Sequence, residues 1–536
     1  MNQIQKFIHN RNFPIFIILL TGLILGLIIF QDFGASWDEP DYYRYANDTL
    51  SAYSITDRLS GTFNLNNAMG PSDLRYYGPA FLIVGEGFHA LFSLLFPQAL
   101  SIDIWHLTIY LSFLMGIFFF YKLAQRWVSI TAATISTLLF ASQPVLFGMS
   151  WINPKDIPFM VFFMGAIYLG LVFYDHAKLA FGKPDLEQRN ENVLSDQKPG
   201  SQRTALILSF IGACFLLGFT CATRIIGPFA ALLVMWIWVV NLKRKSIPLI
   251  AVYGLLSFFI FFICWPYLWQ NTLVNLIYVI LRMVNFPDLH PVLFAGIIYD
   301  SRALPMSYLP TLFIKTLTEP AIILILMGLI VIVYRFIKKG INQVEILALL
   351  FWFFIPFLYF VITTPPLYDN YRQVLFIIPA AFLFSAFSID WLCKKISNNW
   401  LNALIIFVVL FPGLLANIQL HPYEYAYYNS IAGGIQGAAH KYDVEYWVTC
   451  YKNLTEQINS NEKGPVNVYV WGQPDVVSFY ADKNITVKSF NEAYYTRGSL
   501  VVLPLRLESE LLFPSYPIVY SVRLDNVDLC VARRVQ

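Results

Sequence analysis

Twelve long apolar stretches constrain the fold of this 536-residue chain more than any other feature. A membrane-spanning helix needs about 20 mostly apolar residues, and these stretches approach that length. Charged residues make up only 13% of the chain, whereas soluble domains average about 25%. We therefore expect an α-helical polytopic membrane protein. The stretches cover residues 13–30, 79–97, 102–121, 128–147, 158–174, 204–221, 226–241, 247–265, 319–334, 344–364, 373–392 and 400–417.

The charge of the connecting loops orients the helices, because cytoplasmic loops carry the excess of Lys and Arg. The stretch 79–97 is unusual, since it contains Glu86 and His89 and is flanked by prolines. If it lies along the interface as a juxtamembrane helix, all the loops that contain several Lys and Arg residues fall on one side, including the charge-balanced segment 175–203. The pattern then predicts about eleven spans, a cytoplasmic N-terminus and an extracytoplasmic C-terminus. The basic loops are Lys6/Arg11, Lys122/Arg126, 175–203, Lys243–Lys245, Arg335/Lys338/Lys339 and Lys394/Lys395.

This topology divides the chain into a transmembrane domain, residues 1–418, and a soluble tail, residues 419–536. The tail contains several short apolar runs at strand spacing, including VNVYVW and GSLVVLPL, with a helix predicted between the first two strands. It is long enough to form its own small α/β domain. Cys450 and Cys530 lie in this tail, where an oxidising compartment would permit a disulfide. The predicted elements are a strand over 466–471, a helix over 473–481, a strand over 485–490 and further strands beyond.

Adjacent carboxylates follow the first span, in the motif SWDEPDYYRYA. Asp38 and Glu39 belong to the first outer loop, residues 31–78. Charged side chains at the mouth of a helical bundle tend to line wet, functional cavities. Two other interpretations are open at this point. Either residue is equally well explained as a solvated loop acid. Asp38 is also suited to be the N-cap of the helix that follows.

A tight turn predicted on the same side, Asn153-Pro154-Lys155-Asp156, carries a second carboxylate. Asn, Pro and Asp favour turns for local reasons, so the turn alone explains these residue types. However, Asp156 would lie on the same membrane face as Asp38. Two carboxylates that converge on one cavity can divide the work between a base and an orienting group.

Three arginines, Arg75, Arg224 and Arg372, fall on the predicted outer face, where the orientation rule does not require them. The planar guanidinium binds phosphate oxygens in a bidentate manner. A single arginine is readily explained by snorkelling to the interface. Three of them beside the acids, together with Lys155, indicate an anion site. His290, in the long outer loop 266–317, is a weaker candidate for a metal or substrate contact.

The order of these motifs resembles the GT-C class of polytopic glycosyltransferases, and within it the protein O-mannosyltransferase and aminoarabinose transferase group. The resemblance rests on WDE, YYGP, NPKD, ATRIIG, HPVLFAG with LPMSYLP, and YDNYRQVLFIIP, and it covers most of residues 1–420. The segment HPYEYAYYNSIAGGIQGAAHKYDVEYW is similar to one that opens the outer domain of some bacterial members.

The resemblance implies an inverting transfer of a monosaccharide from a polyprenyl-phosphate donor to an acceptor hydroxyl on the outer face of the cell (inner) membrane. It places the catalytic carboxylates on Asp38, Glu39 and Asp156. The phosphate would contact Arg224, Arg372, Arg75 and Lys155. Some relatives pair a glutamate before the interfacial helix with the loop histidine on a metal. Here that stretch reads Tyr76-Tyr77-Gly78-Pro79, with only Asp73 nearby, so the resemblance makes a divalent metal cofactor at His290 doubtful.

Two other classes of function remain open. A transporter or lipid-linked-sugar flippase would also place charges in a wet cavity, although the inverted repeats and broken spans typical of transporters are not evident. A non-catalytic scaffold is the second alternative. The acceptor is a protein, a glycolipid or a cell-envelope glycan. A net charge of +3 is too small to indicate a nucleic-acid partner.

Overall fold

The computed structural model describes residues 11–70, 72–181, 199–285, 289–396, 398–491 and 494–536. The predicted basic loops at Lys6 and over most of 175–203 lie outside the described residues. The helices are α1 Phe13–Ile29, α2 Glu39–Leu50, α3 Ile55–Ser60, α4 Ala80–Leu95, α5 Ser101–Trp127, α6 Ile130–Ala141, α7 Pro144–Ile152, α8 Asp156–Phe181, α9 Pro199–Cys221, α10 Pro228–Leu242, α11 Ser246–Ile263, α12 Thr272–Val284, α13 Tyr308–Thr316, α14 Glu319–Ile337, α15 Gln343–Thr363, α16 Ile378–Lys395, α17 Asn399–Leu420, α18 Gly434–Ala438, α19 Tyr451–Asn461 and α20 Pro474–Ser478.

In the described ranges, eight helical segments are long and apolar enough to cross a membrane, or nine if one bent pair counts as a span. The protein is therefore an integral membrane protein. One of the eight is the 36-residue segment Pro228–Ile263, which contains both α10 and α11. Helix α1 is apolar along its 17 residues, a little short of a full span. The expected total of about eleven spans stays a prediction, as does the interfacial position of α4.

The bent pair is a broken or re-entrant span, although no broken span is evident in the sequence. The predicted apolar stretch ends at residue 147, but the helical segment continues through α7 to Ile152, and α7 follows α6 at an angle of 62°. Pro144 begins α7, which suits its lack of a backbone donor. The side chain of Gln143 donates to the carbonyl of Leu139, 3.0 Å away, and to the Thr318 hydroxyl, 3.1 Å away. These contacts replace part of the hydrogen bonding that the break removes.

The C-terminal domain contains a five-stranded sheet in the order β4-β3-β5-β7-β6. Strand β3 pairs in parallel with β4 and β5, whereas β7 pairs antiparallel with β5 and β6. The strands lie where the apolar runs predict them, and the predicted fold class is confirmed. A hairpin in the long outer loop supplies β1 and β2. The strand bounds are β1 Pro291–Phe294, β2 Ile297–Asp300, β3 Val466–Val470, β4 Ile485–Ser489, β5 Leu500–Pro504, β6 Ile518–Leu524 and β7 Val527–Arg534.

The C-terminal domain and the helical part share one buried apolar cluster, which runs from the spans into the sheet. A disulfide joins Cys450, just before α19, to Cys530 in β7, with Cα atoms 6.1 Å apart. The hairpin of the outer loop also contacts the start of the tail, because Gly296 N donates to Lys441 O at 3.0 Å. The C-terminal domain therefore packs against the outer loops.

Candidate active site

Two cavities adjoin in the structure, one within the helical bundle and one between the bundle and the C-terminal domain. The apolar cavity, of about 740 Å³, lies among α9, α10, α11, α12 and α15. The polar pocket, of about 210 Å³, lies beneath the C-terminal domain and is lined by Asp38. The two cavities share a small set of lining residues, which we call the junction: Tyr77, Lys155, Tyr368 and Arg372. A single molecule with an apolar end and a polar end could therefore occupy both.

Asp38 lies at the entrance of α2 and faces the polar pocket. It occupies the N-cap position, but its side chain makes no capping hydrogen bond. Instead, Arg372 Nη1 donates to Asp38 Oδ2 at 2.6 Å. Burial alone would raise the pKa of Asp38, but Arg372, Lys155 and Arg506 outweigh that effect and lower it. Asp38 is therefore an ionised carboxylate at neutral pH, held beside a cation.

Glu39 points away from both cavities. Its fully buried carboxylate accepts from the backbone N–H of Ser36 at 2.5 Å and from the Tyr43 hydroxyl. His106 Nε2 lies 3.1 Å from the same carboxylate. Glu39 thus holds the loop that presents Asp38. A direct part in catalysis, which the motif suggested for Glu39, is not supported by this geometry.

The predicted turn at residues 153–156 brings a cation and a carboxylate together. Asn153 Oδ1 accepts from the backbone N–H groups of Lys155 at 3.2 Å and Asp156 at 2.8 Å. This local arrangement is the one that Asn favours in turns. Lys155 Nζ donates to the Tyr42 hydroxyl at 2.6 Å and lies 4.1 Å from the centre of the Tyr77 ring. Burial lowers the pKa of Lys155 to about 7.

Arg224 follows the end of α9, in the break before α10, and lines the apolar cavity beside the junction. It forms an ion pair with Asp156 and donates to the carbonyl of Gln373 at 3.2 Å. The backbones of Gly78 and Ala222 are in close contact near Arg224. A Cβ on Gly78 would lie 2.0 Å from the carbonyl oxygen of Ala222. Only glycine permits that approach. The YYGP and ATRIIG motifs are therefore neighbours in space.

Within the described part of the chain, Arg224 Nε and Arg372 Nε are buried without a hydrogen-bond partner. Buried polar groups are nearly always hydrogen-bonded, and an exception calls for an explanation. Both guanidinium groups line the apolar cavity, and Arg372 also lines the polar pocket. An anionic ligand at the junction would satisfy both donors.

Two predicted site residues behave differently from this group. Arg75 lines neither cavity, and its carbonyl accepts from Trp265 Nε1 at 3.0 Å. His290 does line the polar pocket and stacks on Tyr368, with ring centres 4.1 Å apart. Asp73 forms an ion pair with Arg282 instead of facing His290. Among the described residues, no three His, Cys, Asp or Glu side chains come together as a metal site would require.

Three site residues were not identified from the sequence. Asp369 Oδ2 lies 3.1 Å from Arg372 Nη2, and Asp369 follows the predicted loop residue Tyr368 directly. Its place in the YDNYR motif was a usable signal. Trp447 and Arg506 come from the C-terminal domain, and both lie near Arg372 or its partners. Trp447 ends the segment HPYEYAYYNSIAGGIQGAAHKYDVEYW, but that resemblance gave it no role in the site. Arg506 has no motif that would have revealed it, because its contacts depend on how the two domains meet.

Comparison with known proteins gives a narrow result. No family model matches the chain, and no curated protein matches it. Among solved structures, the chain is similar to ArnT from Cupriavidus metallidurans in the apo state, with 15% identity and a TM-score of 0.47 over 96% of this chain and 97% of that chain. It is also similar to the same protein bound to undecaprenyl phosphate, with 15% identity, a TM-score of 0.43 and the same coverage of both chains. At this identity and these TM-scores, neither similarity assigns a residue or a substrate to this chain.

Proposed function

We propose that the protein is an inverting glycosyltransferase that moves a monosaccharide from a polyprenyl-phosphate donor to an acceptor hydroxyl. The observation that carries the proposal is the series of apolar cavity, cationic junction and polar pocket. A lipid-phosphate sugar has its parts in the same order: an apolar tail, one phosphate and one sugar ring. The polar pocket, of about 210 Å³, has room for a single sugar ring.

Each part of the donor has a chemically matched surface. The tail would lie along the apolar side chains of α9 to α12, where burial of each CH₂ contributes about 0.8 kcal/mol. The phosphate would accept from Arg224 and Arg372, whose planar forks match its oxygens, and from Lys155. The sugar would lie among Trp37, Tyr42 and Tyr368, which offer apolar rings with polar edges.

Asp38 is the proposed general base. The acceptor oxygen attacks the anomeric carbon as its proton passes to the Asp38 carboxylate. The bond from that carbon to the phosphate oxygen breaks, and its electron pair leaves with polyprenyl phosphate. A positioned base of this kind contributes about 10²–10⁴-fold in rate. Attack opposite the leaving group inverts the anomeric centre.

The junction stabilises the charge that develops on the leaving group. The donor phosphodiester carries one negative charge, whereas the monoester product carries about 1.5 to 2 at neutral pH. Removal of one preorganised donor to such a charge costs about 10²–10³-fold in rate. As the phosphate gains charge, it competes with Asp38 for Arg372, which makes Asp38 a stronger base during the reaction. Asp156 would hold Arg224 in place.

The proposed location is the cell (inner) membrane, with the N-terminus cytoplasmic and the C-terminal domain outside. The disulfide between Cys450 and Cys530 supports this orientation, because disulfides persist in oxidising compartments. The acceptor would reach the polar pocket from the outer side. A protein, a glycolipid and a cell-envelope glycan all present the hydroxyl that the reaction needs.

The direct test of the function uses purified protein in detergent with synthetic polyprenyl-phosphate monosaccharides and a cell-envelope extract as acceptor. We expect one donor to be consumed, with release of polyprenyl phosphate and transfer of the sugar. If every donor stayed intact while the protein moved it between the leaflets of a vesicle, the flippase alternative would replace the proposal.

The phosphate role of the junction has a matched test. Arg224→Gln removes the guanidinium but keeps a hydrogen-bond donor near Asp156. Because hydrogen bonds to charged groups contribute about 1.5–3 kcal/mol, we expect polyprenyl phosphate to bind roughly ten- to a hundred-fold more weakly. Arg244→Gln is the control, since Arg244 is exposed beyond the far end of α10, about 22 Å from its start by helix rise. Equal affinities of the two variants would contradict the assignment.

A further inference from the structure

The C-terminal domain holds the loop that carries Asp38. The backbone N–H of Trp37 donates to the carbonyl of Trp447 at 3.0 Å. The backbone N–H of Ala35 donates to the Tyr480 hydroxyl at 2.8 Å. A Cβ on Gly34 would overlap the carbonyl of Thr449, at 2.1 Å. The residues just before Asp38 are therefore positioned by the C-terminal domain as well as by the helical bundle.

The same domain surrounds Arg372. Its guanidinium contacts two aromatic rings, with the centre of the Tyr368 ring 4.8 Å away and that of Trp447 4.7 Å away. Such contacts contribute most when the cation is desolvated, and Arg372 is buried. One of these rings thus comes from the loop of Arg372 itself and the other from the C-terminal domain.

Arg506 extends the charge network from the C-terminal domain. Its Nη2 lies 2.8 Å from Asp369 Oδ1, and its Nη1 donates to the carbonyl of Tyr446 at 2.5 Å. Asp369 also pairs with Arg372, which in turn pairs with Asp38. The charges therefore alternate from the C-terminal domain to the proposed base. The Arg506 side chain is 12% exposed and lines the polar pocket.

The backbone at these contacts adopts the left-handed conformation, which L-residues adopt uncommonly. Asp369 and Asn370 have φ values of 53° and 64°, and Leu507 and Glu508, just after Arg506, have 54° and 59°. Val448, beside Trp447, has 57°, which is a genuine outlier for a β-branched residue. Strained backbone of this kind concentrates at functional sites, where the surrounding structure enforces it. Here it occurs on both sides of the link between Arg506 and Asp369.

We propose that the C-terminal domain is part of the active site, and that its Arg506 is a positioning residue that keeps Arg372 beside Asp38. The inference rests on the proposed glycosyltransferase function. Arg506 and Arg372 share one carboxylate, Asp369. Without Arg506, that carboxylate would pair with Arg372 alone and draw it away from Asp38 and from the donor phosphate. Arg506 also adds positive charge near Asp38.

The test compares Arg506→Gln with wild-type protein for turnover of a polyprenyl-phosphate monosaccharide. We expect kcat to fall by about 10²-fold, the cost of a misplaced catalytic group. The amount of acceptor extract that gives the half-maximal rate should stay unchanged. Because Arg506 contributes to the lowered pKa of Asp38, the acid limb of the kcat/KM profile should move to higher pH. Arg506→Lys keeps the positive charge and should return the acid limb of the kcat/KM profile to its wild-type pH. Its single ammonium should not restore kcat fully.

Arg523→Gln is the matched control. Arg523 belongs to the same domain and pairs with Asp528 at 2.6 Å, on an exposed strand away from both cavities. We expect wild-type turnover from it. A fall in activity of Arg506→Gln with an unmoved acid limb would indicate a purely structural role and overturn the inference, as would wild-type kinetics. Absence of donor turnover by the wild-type protein would instead contradict the proposed function itself.

Discussion

At the residue scale, the site is organised around a single arginine. Arg372 lies 2.6 Å from Asp38, 3.1 Å from Asp369 and 4.0 Å from Asp156. Buried carboxylates are costly without a cation, so Arg372 allows three acids to converge where Lys155 and Arg224 also lie. The cluster is not a set of independent ion pairs. A change to one member shifts the position and charge of the others.

Lys155 predicts a pH dependence of donor binding. Its pKa is lowered to about 7 because burial penalises the ammonium more than Asp156 and Asp38 favour it. Lys155 is therefore charged below that pH and neutral above it. Beyond the effect of the phosphate's own titration, we expect loss of the Lys155 charge to weaken binding of polyprenyl phosphate above about pH 7, by up to about tenfold per unit, until the pKa of the bound state is reached.

Measurements of polyprenyl phosphate binding at constant temperature would check this expectation. They should extend from about two pH units below the pKa of Lys155 to about two units above it. Lys155→Arg is the informative variant, because a guanidinium stays charged throughout this range. Its affinity should vary with pH only as the phosphate itself titrates. A wild-type profile identical to that of the variant would contradict the role assigned to Lys155.

At the element scale, close backbone approach decides how the segments meet. Gly472 follows β3 with φ of 86°, and a Cβ at this position would lie 2.1 Å from the Trp37 ring. Trp37 also contacts Trp471, with ring centres 5.6 Å apart. The turn after β3 therefore lies directly on the loop before α2. The contact joins the C-terminal sheet to the segment that presents Asp38.

Gly472→Ala should disturb this contact for two reasons, since the backbone favours glycine and the space is filled. We expect a loss of stability of about 1–3 kcal/mol and reduced donor turnover. Thermal unfolding and the turnover assay measure both effects. Gly464→Ala is the matched control, because nothing lies within 4 Å of a Cβ there. If the two alanine variants behaved alike, the proposed docking of β3 on the Asp38 loop would be wrong.

At the scale of the whole molecule, the sequence predicts architecture better than it predicts contacts between domains. Apolar runs of span length locate the long helices, because a helix satisfies all the backbone hydrogen bonds of such a run within the run itself. Short alternating runs locate the strands of the tail for an equally local reason. The break between α6 and α7 was missed, because Ser142 and Gln143 are too few polar residues to interrupt an apolar run.

The residues of the candidate site also differ in how well the sequence predicts them. Asp38, Asp156 and Arg372 stand next to turns and span ends, where polar residues among apolar ones are conspicuous. Arg506 has an ordinary sequence context, LPLRLESE, and only the meeting of the two domains gives it a role. Glu39 is the opposite case, in which a conspicuous motif does not correspond to a place in the site. Its motif suggested catalysis, whereas its contacts hold the backbone.

The central claim, that Asp38 is the base of a lipid-phosphate sugar transfer, is tested most directly by Asp38→Asn. Purified variant and wild-type protein would be compared for turnover of a polyprenyl-phosphate monosaccharide and for binding of polyprenyl phosphate, with Asp48→Asn on the same helix as the control. We expect turnover to fall by about 10²–10⁴-fold, with binding preserved because Arg224, Arg372 and Lys155 remain. Turnover by Asp38→Asn close to that of the wild type would contradict it.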